Sequence, residues 1–258
     1  MKLSPLLALL LVATSCSKQF NSPDTNIAGS SRTVAPKAAI TTLQFSGITW
    51  NVKSGTSPMG PGPNYWDQSS VWVDANGWLH LKIKRNTATG KWYCAEVSTQ
   101  QSFGYGIYQF WVEGRVDQLD RNVVLGLFNY SGNDGFDEMD IEFANWGKKN
   151  ANNLNYTVWP ATTGFANFSY TKKITLTGTF TTQRFTRTAN SVAFQSLGGF
   201  YNDNTNLFAS GTCTNPPKSV STLAMPVHIN LWLFGGQKPS DNKEVELVIR
   251  NFSFTPLP

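Results

Sequence analysis

The chain is short of charge. Only 14% of its 258 residues are Asp, Glu, Lys or Arg, against about 25% in ordinary soluble domains. The formal net charge of +5 is spread out, with no block of Lys and Arg of the kind that tracks phosphates, so no nucleic-acid partner is expected. Histidine is scarce as well. His80 and His228 are far apart in sequence, which leaves little material for a zinc site or a serine triad. Cysteine occurs only as Cys16, Cys94 and Cys213, and neither of the last two has the His or Cys neighbours of a metal site. No organic cofactor and no histidine- or cysteine-based metal site is therefore expected. Amphipathic helical patterns are missing. What the chain does have is aromatic side chains: 9 Trp, 8 Tyr and 17 Phe, 13% of the residues. Few charges and many aromatics suit a neutral partner with flat apolar faces, and sugar rings fit that description.

The N-terminus reads as a targeting segment. Lys2 is a short positive region, and Leu3 to Ala13 is an apolar run of secretion-signal length, too short to span a bilayer. It ends in Ala13-Thr14-Ser15-Cys16, which resembles a bacterial lipoprotein cleavage site. Residues 1–16 are thus expected to be a lipoprotein signal peptide ending at a lipidated Cys16. The protein would be exported and anchored to the cell envelope, at the outer membrane or cell surface, with that lipid as its membrane contact. Residues 17–41 are rich in Ser, Thr, Asn, Ala and Pro without apolar periodicity and read as a flexible tether. Residues 42–258 would form one domain, monomeric by default. An oxidising compartment permits a disulfide between Cys94 and Cys213, but spacing alone does not decide it.

Inside the domain the dominant period is two. Val71–Val73 and Trp78–Lys84 flank a turn containing Asn76-Gly77, a hairpin signal. Tyr108, Phe110 and Val112 alternate with Gln109, Trp111 and Glu113. Further strand-like runs cover 123–130, 138–143, 154–159, 191–195, 227–234 and 245–254. Many short strands separated by Gly, Asn and Pro turns predict an all-β antiparallel sandwich of the jelly-roll kind.

The segment Glu138-Met139-Asp140-Ile141-Glu142-Phe143 is the most informative in the chain. On a strand, alternate side chains share a face. Met139, Ile141 and Phe143 point into the core, and Glu138, Asp140 and Glu142 point together to the other side. Crowded carboxylates raise the cost of ionising all three. Three interpretations follow from the residues: paired carboxylates for catalysis, a solvated edge strand, or an oxygen-ligand site for calcium. Retaining glycosidases place a nucleophile and an acid/base about 5–5.5 Å apart. Positions i and i+4 on a strand have Cα atoms about 13 Å apart, a gap that two glutamates leaning together over a concave face can close.

Glu138-Met139-Asp140-Ile141-Glu142 resembles the E-x-D-x-E signature of glycoside hydrolase family 16, most nearly its bacterial lichenase branch, the endo-1,3-1,4-β-glucanases. The resemblance runs through most of residues 45–258. It implies a concanavalin-like β-jelly roll of two antiparallel sheets with a concave cleft, and hydrolysis with retention of anomeric configuration. It makes Glu138 the nucleophile, Asp140 the assisting carboxylate and Glu142 the general acid/base. Cys94-Ala95-Glu96 and Phe103-Gly104-Tyr105-Gly106 are similar to an upstream family stretch, which places Glu96 against sugar hydroxyls. Leu127 to Gly132 is similar to the strand before the catalytic one, with Phe128 and Tyr130 in the cleft. Asn64, Asn155, and Asn230 with Trp232 match further cleft positions. Trp146 is a platform candidate on physical grounds alone, as a large apolar face with a free N–H. A structural calcium ion, common in relatives, stays open.

The sequence also departs from the lichenase pattern. Arg187 stands where a tryptophan is usual, Ser98 where an arginine is, and Thr157 where a tyrosine is, so parts of the cleft wall are expected to differ. The resemblance implies an endo-acting hydrolase of a β-glucan, mixed-linkage glucan first, with β-1,3-glucan or xyloglucan as other substrates. A transglycosylase using the same carboxylates and a surface lipoprotein that captures glycan without cutting it are the alternatives.

Overall fold

Period-two sequence becomes antiparallel strand throughout. The computed structural model describes residues 41–257. The signal segment, Cys16 and the tether up to residue 40 lie outside the described residues. The strands are β1 (Thr42–Phe45), β2 (Ile48–Val52), β3 (Tyr65–Trp66), β4 (Val71–Val73), β5 (Leu79–Arg85), β6 (Trp92–Thr99), β7 (Gly106–Glu113), β8 (Val123–Tyr130), β9 (Glu138–Ala144), β10 (Leu154–Trp159), β11 (Phe168–Lys172), β12 (Phe180–Arg187), β13 (Ser191–Gly198), β14 (Leu207–Thr214), β15 (Val227–Leu233) and β16 (Val245–Pro256).

They pack as a jelly-roll sandwich. The front layer runs β1-β2-β6-β15-β8-β9-β10-β11. The back layer runs β4-β5-β16-β7-β12-β13-β14. The layers join where Lys84 and Arg85 at the end of β5 pair with Tyr93 and Trp92 at the start of β6, so the ladder is continuous and curls nearly into a barrel. Only the short β3 runs parallel to its partner, β6.

The alternation places the core. Leu79, Leu81 and Ile83 of β5 and Tyr108, Phe110 and Val112 of β7 are fully buried, facing Leu125 and Leu127 of β8 and Ile229 and Leu231 of β15. The β4–β5 turn forms because the Asp74 carboxylate accepts from the backbone N–H groups of Asn76 and Trp78, at 2.9 Å each. Gly77 there takes φ 78°, which costs glycine nothing.

The core is not wholly apolar. Thr181, Gln183 and Arg187 of β12 are fully buried. Ser196 donates to the Gln183 side chain, and its hydroxyl also meets Tyr156 Oη at 2.6 Å. Arg187 corrects the sequence expectation that its position belongs to the cleft wall. It is 0% exposed and reaches from the back layer to the front one. There it donates to Asn129 Oδ1 (3.0 Å), to the Ser221 carbonyl (2.9 Å) and to the Leu223 carbonyl. Cys94 and Cys213 are both buried free thiols, not a disulfide, and burial pushes the Cys94 thiol up to about 12.

Candidate active site

Strand register assembles the site. β9 is paired on both sides, by β8 and β10, and Asp140 is only 4% exposed. That removes the solvated-edge interpretation of its acidic face. Met139, Ile141 and Phe143 are fully buried between the layers, so Glu138, Asp140 and Glu142 stand on the outer face of the front sheet. Residues directly opposite across a ladder share a face, and the pairings extend this into rows. Asn230 of β15 faces Glu96 on one side and Gly126 on the other, and Gly126 faces Glu142, which faces Asn155. The next row runs Ser98, His228, Phe128, Asp140, Thr157. A third holds Tyr130, Glu138 and Trp159.

These rows floor a groove of about 480 Å³ that all three β9 carboxylates line, together with Glu96, Phe128, Tyr130, Asn230 and Trp232. Gly126 leaves the floor open. A Cβ there would sit 2.4 Å from Asn230 Oδ1, so glycine lets the Asn230 amide lie across β8 toward Glu142.

Burial dominates the electrostatics. It pushes Glu142 up to about 8, helped by the charge of Glu138. Glu138 is pushed up to about 7, first by burial, with the Asp134 and Glu96 charges adding and a bond from Asp140 opposing. Asp140 is held well above its ordinary range by burial, then by the charges of both glutamates. One of its oxygens, Oδ2, is buried without an N–H or O–H donor. The interaction that lowers Glu138 raises Asp140 in turn. Glu96 goes the other way. Burial would raise it, but His228 and Lys53 together outweigh that and hold it ionised below its ordinary range.

The remaining sequence candidates divide between lining and support. Asn64 is 2% exposed, and its amide is spent on the Pro61 (2.7 Å) and Leu233 (2.9 Å) carbonyls. Asn64 thereby pins the cleft-edge loop, and Gly60, Pro61 and Gly62 of that loop reach the groove. Asn155 donates to the Ala144 carbonyl at 3.2 Å and accepts from the Trp146 indole at 3.2 Å. Trp146 takes φ 53° just after β9, a conformation uncommon for bulky residues. That turn sets its ring 6.4 Å from Trp232 and 5.5 Å from Phe234, behind the groove wall.

Sequence reasoning missed Lys53, Asp134 and His228, which also line the groove. His228 had a signal, since it sits two positions before Asn230 and four before Trp232 on one strand face. Lys53 had none. Among the described residues no group of three or more His, Cys, Asp or Glu side chains is arranged to hold a metal ion.

No protein-family model matches the chain, and no curated protein sequence does. Solved structures do match. A Bacillus licheniformis β-glucanase is 18% identical, with 83% of this chain and 95% of that one covered at a TM-score of 0.63. A family 16 endo-glucanase from Bacteroides ovatus, solved in complex with G4G3G-2F-DNP, is 14% identical over 80% of this chain and 94% of its own, TM-score 0.61. A protein described as an immunostimulatory antigen and pseudo β-1,3-glucanase of Mycobacterium tuberculosis is 17% identical, covering 78% and 88%, TM-score 0.59. The chain therefore has the jelly-roll fold that family 16 β-glucanases have.

Proposed function

We propose that the protein is a retaining endo-glycoside hydrolase of family 16 that cuts a β-glucan, mixed-linkage glucan first. One observation carries this: Glu138 and Glu142 flank Asp140 on the floor of an open groove, with burial lifting both glutamates toward neutral pH. Glu142, with the higher value, holds the proton it must give to the leaving glycosidic oxygen. Glu138, with the lower value of the two glutamates, ionises first, attacks the anomeric carbon as that bond breaks and forms a glycosyl-enzyme. Glu142, now a carboxylate, takes a proton from water. The resulting hydroxide displaces Glu138 and frees the sugar with its configuration retained.

The aromatic walls support a sugar ligand. Phe128, Tyr130 and Trp232 offer apolar area to the C–H faces of glucosyl rings. The test is product analysis of the purified full chain on mixed-linkage glucan, laminarin, xyloglucan and agarose. Short oligosaccharides from mixed-linkage glucan are expected. The rate should be bell-shaped in pH. It rises as Glu138 ionises near 7 and falls as Glu142 loses its proton near 8. A flat profile from pH 5 to 9 would overturn the acid/base assignment.

A fold neighbour described as a pseudo β-1,3-glucanase makes glycan capture without cutting the second reading. Binding of all four polymers with no product from any would put it first. For localisation, the Ala13-Thr14-Ser15-Cys16 site supports export and lipid anchoring at the cell envelope. Labelled fatty acid should enter the native protein and be lost in Cys16→Ser. Equal label in both would remove the anchor.

A further inference from the structure

The loop between β8 and β9 carries a carboxylate that the catalytic steps do not use. Asp134 sits four residues after Tyr130 and four before Glu138. Both Asp134 and Tyr130 line the groove beside the β9 carboxylates. The loop is closed by the Ser131 N–H, which donates to the Asp137 carbonyl at 3.2 Å, and by the Phe136 N–H, which donates to the Asn133 carbonyl at 3.0 Å. Gly135 takes φ 82° directly after Asp134, a turn that an L side chain rarely makes. The carboxylate is folded back over the groove, where Tyr130 Oη donates to Asp134 Oδ1 at 2.5 Å.

Tyr130 also stands directly opposite Glu138 across the β8–β9 ladder, and opposite residues have Cβ atoms about 4.5–5.5 Å apart on one face. Two carboxylates therefore lie in the neighbourhood of one phenolic proton. A phenol has a single proton to donate, and Asp134 receives it. That matters for a nucleophile, because a donor on a carboxylate stabilises its charge and blunts its attack. The other ionisable groups facing Glu138 in the groove are Asp140 and Glu142 on β9, Glu96 on β6, His228 on β15 and Lys53 just after β2. Asp137, on the same loop, puts its charge on Arg187 instead. The Asp134 charge adds to the burial that raises Glu138. Tyr130 is raised in turn by burial, by its bond to Asp134 and by the Asp134 and Glu138 charges.

We propose that Asp134 is a positioning residue for the reaction, which captures the Tyr130 hydroxyl proton and keeps it off the nucleophile Glu138. This rests on the glycosidase reading above. With Asp134 in place, the phenol faces the nucleophile as an acceptor only. Without Asp134 the hydroxyl turns and donates to Glu138, which favours the ionised carboxylate and slows its attack on the anomeric carbon. The Tyr130 ring keeps its place on the groove wall either way, so its hydroxyl and its apolar face do separate work.

The test is a carbon-13 NMR titration of the full chain with labelled glutamate carboxyls, of which there are six. The Glu138 signal is the one absent from Glu138→Gln. Three variants separate proton from charge. Asp134→Ala removes the charge and frees the hydroxyl. Asp134→Asn removes the charge but keeps an acceptor for the hydroxyl. Asp134→Ala combined with Tyr130→Phe removes charge and hydroxyl together. In Asp134→Ala the Glu138 midpoint is expected to fall by about one pH unit, and in the other two by less than half of that. The acid limb of kcat/KM should move the same way, and kcat should fall by a larger factor than KM changes. A midpoint in Asp134→Ala no lower than in the other two variants overturns the proposal, because charge alone then accounts for the change. Separated midpoints in a protein that releases no product leave the placement of the proton standing and remove the hydrolase reading. Product release with coincident midpoints does the reverse.

Discussion

Replacing Glu138 by Gln should lower glucan turnover by about four orders of magnitude while leaving oligosaccharide binding within a few-fold of native. The amide fills the same space in the groove but cannot attack the anomeric carbon, and it removes a charge that both Asp140 and Glu142 feel. A second result assigns roles. In Glu138→Ala, added azide should restore cutting and yield a glycosyl azide of inverted configuration, because azide attacks once where the enzyme attacks twice. In Glu142→Ala the azide product should keep the configuration, because the glycosyl-enzyme still forms on Glu138. Exchanged stereochemical outcomes would exchange the two assignments. Native turnover in Glu138→Gln would end the nucleophile assignment.

Arg187→Met should destabilise the fold by about 3 kcal/mol. The guanidinium is buried without a carboxylate within salt-bridge distance among the described residues. It is held instead by Asn129 Oδ1 and by the Ser221 and Leu223 carbonyls. Methionine fills much of the volume but leaves those acceptors bare. Asn129 also donates to the Met225 and Pro226 carbonyls at 2.8 and 2.7 Å, so the loss spreads into the segment that leads to β15. Urea denaturation should show a lower midpoint with an unchanged slope. A change under about 1 kcal/mol would mean that water replaces the guanidinium at no net cost.

Strands with clean alternation were legible before the structure. Val123–Tyr130 and Leu154–Trp159 have the bounds that their sequence pattern predicts. β12 was not, for a physical reason. Its inward positions are Thr181, Gln183, Phe185 and Arg187, all fully buried, and with three polar side chains among the four they carry no apolar period. β14 was missed because its Ser and Thr residues are exposed on an edge of the back layer and break up the apolar pattern. β6 was missed because Cys94-Ala95-Glu96-Val97 is buried on both faces and reads as no period. Of the site, the β9 carboxylates were legible because a strand's period puts them on one face. Which carboxyls touch was not legible, nor was the clamp that Lys53 places on Glu96, since that contact joins residues 43 positions apart.

The acidic face of β9 also decides how the fold answers to alkali. Glu138, Asp140 and Glu142 bind protons more tightly in the groove than an open chain does. By linkage, their protonated forms favour the folded state below about pH 4.5. That advantage drains away as pH climbs through 7 and 8, where the floor must carry charge that it poorly solvates. The pH range in which the glutamates can cut is thus the range in which that advantage is used up, and the chain's stability in it rests on the ladders and the aromatic core rather than on the groove.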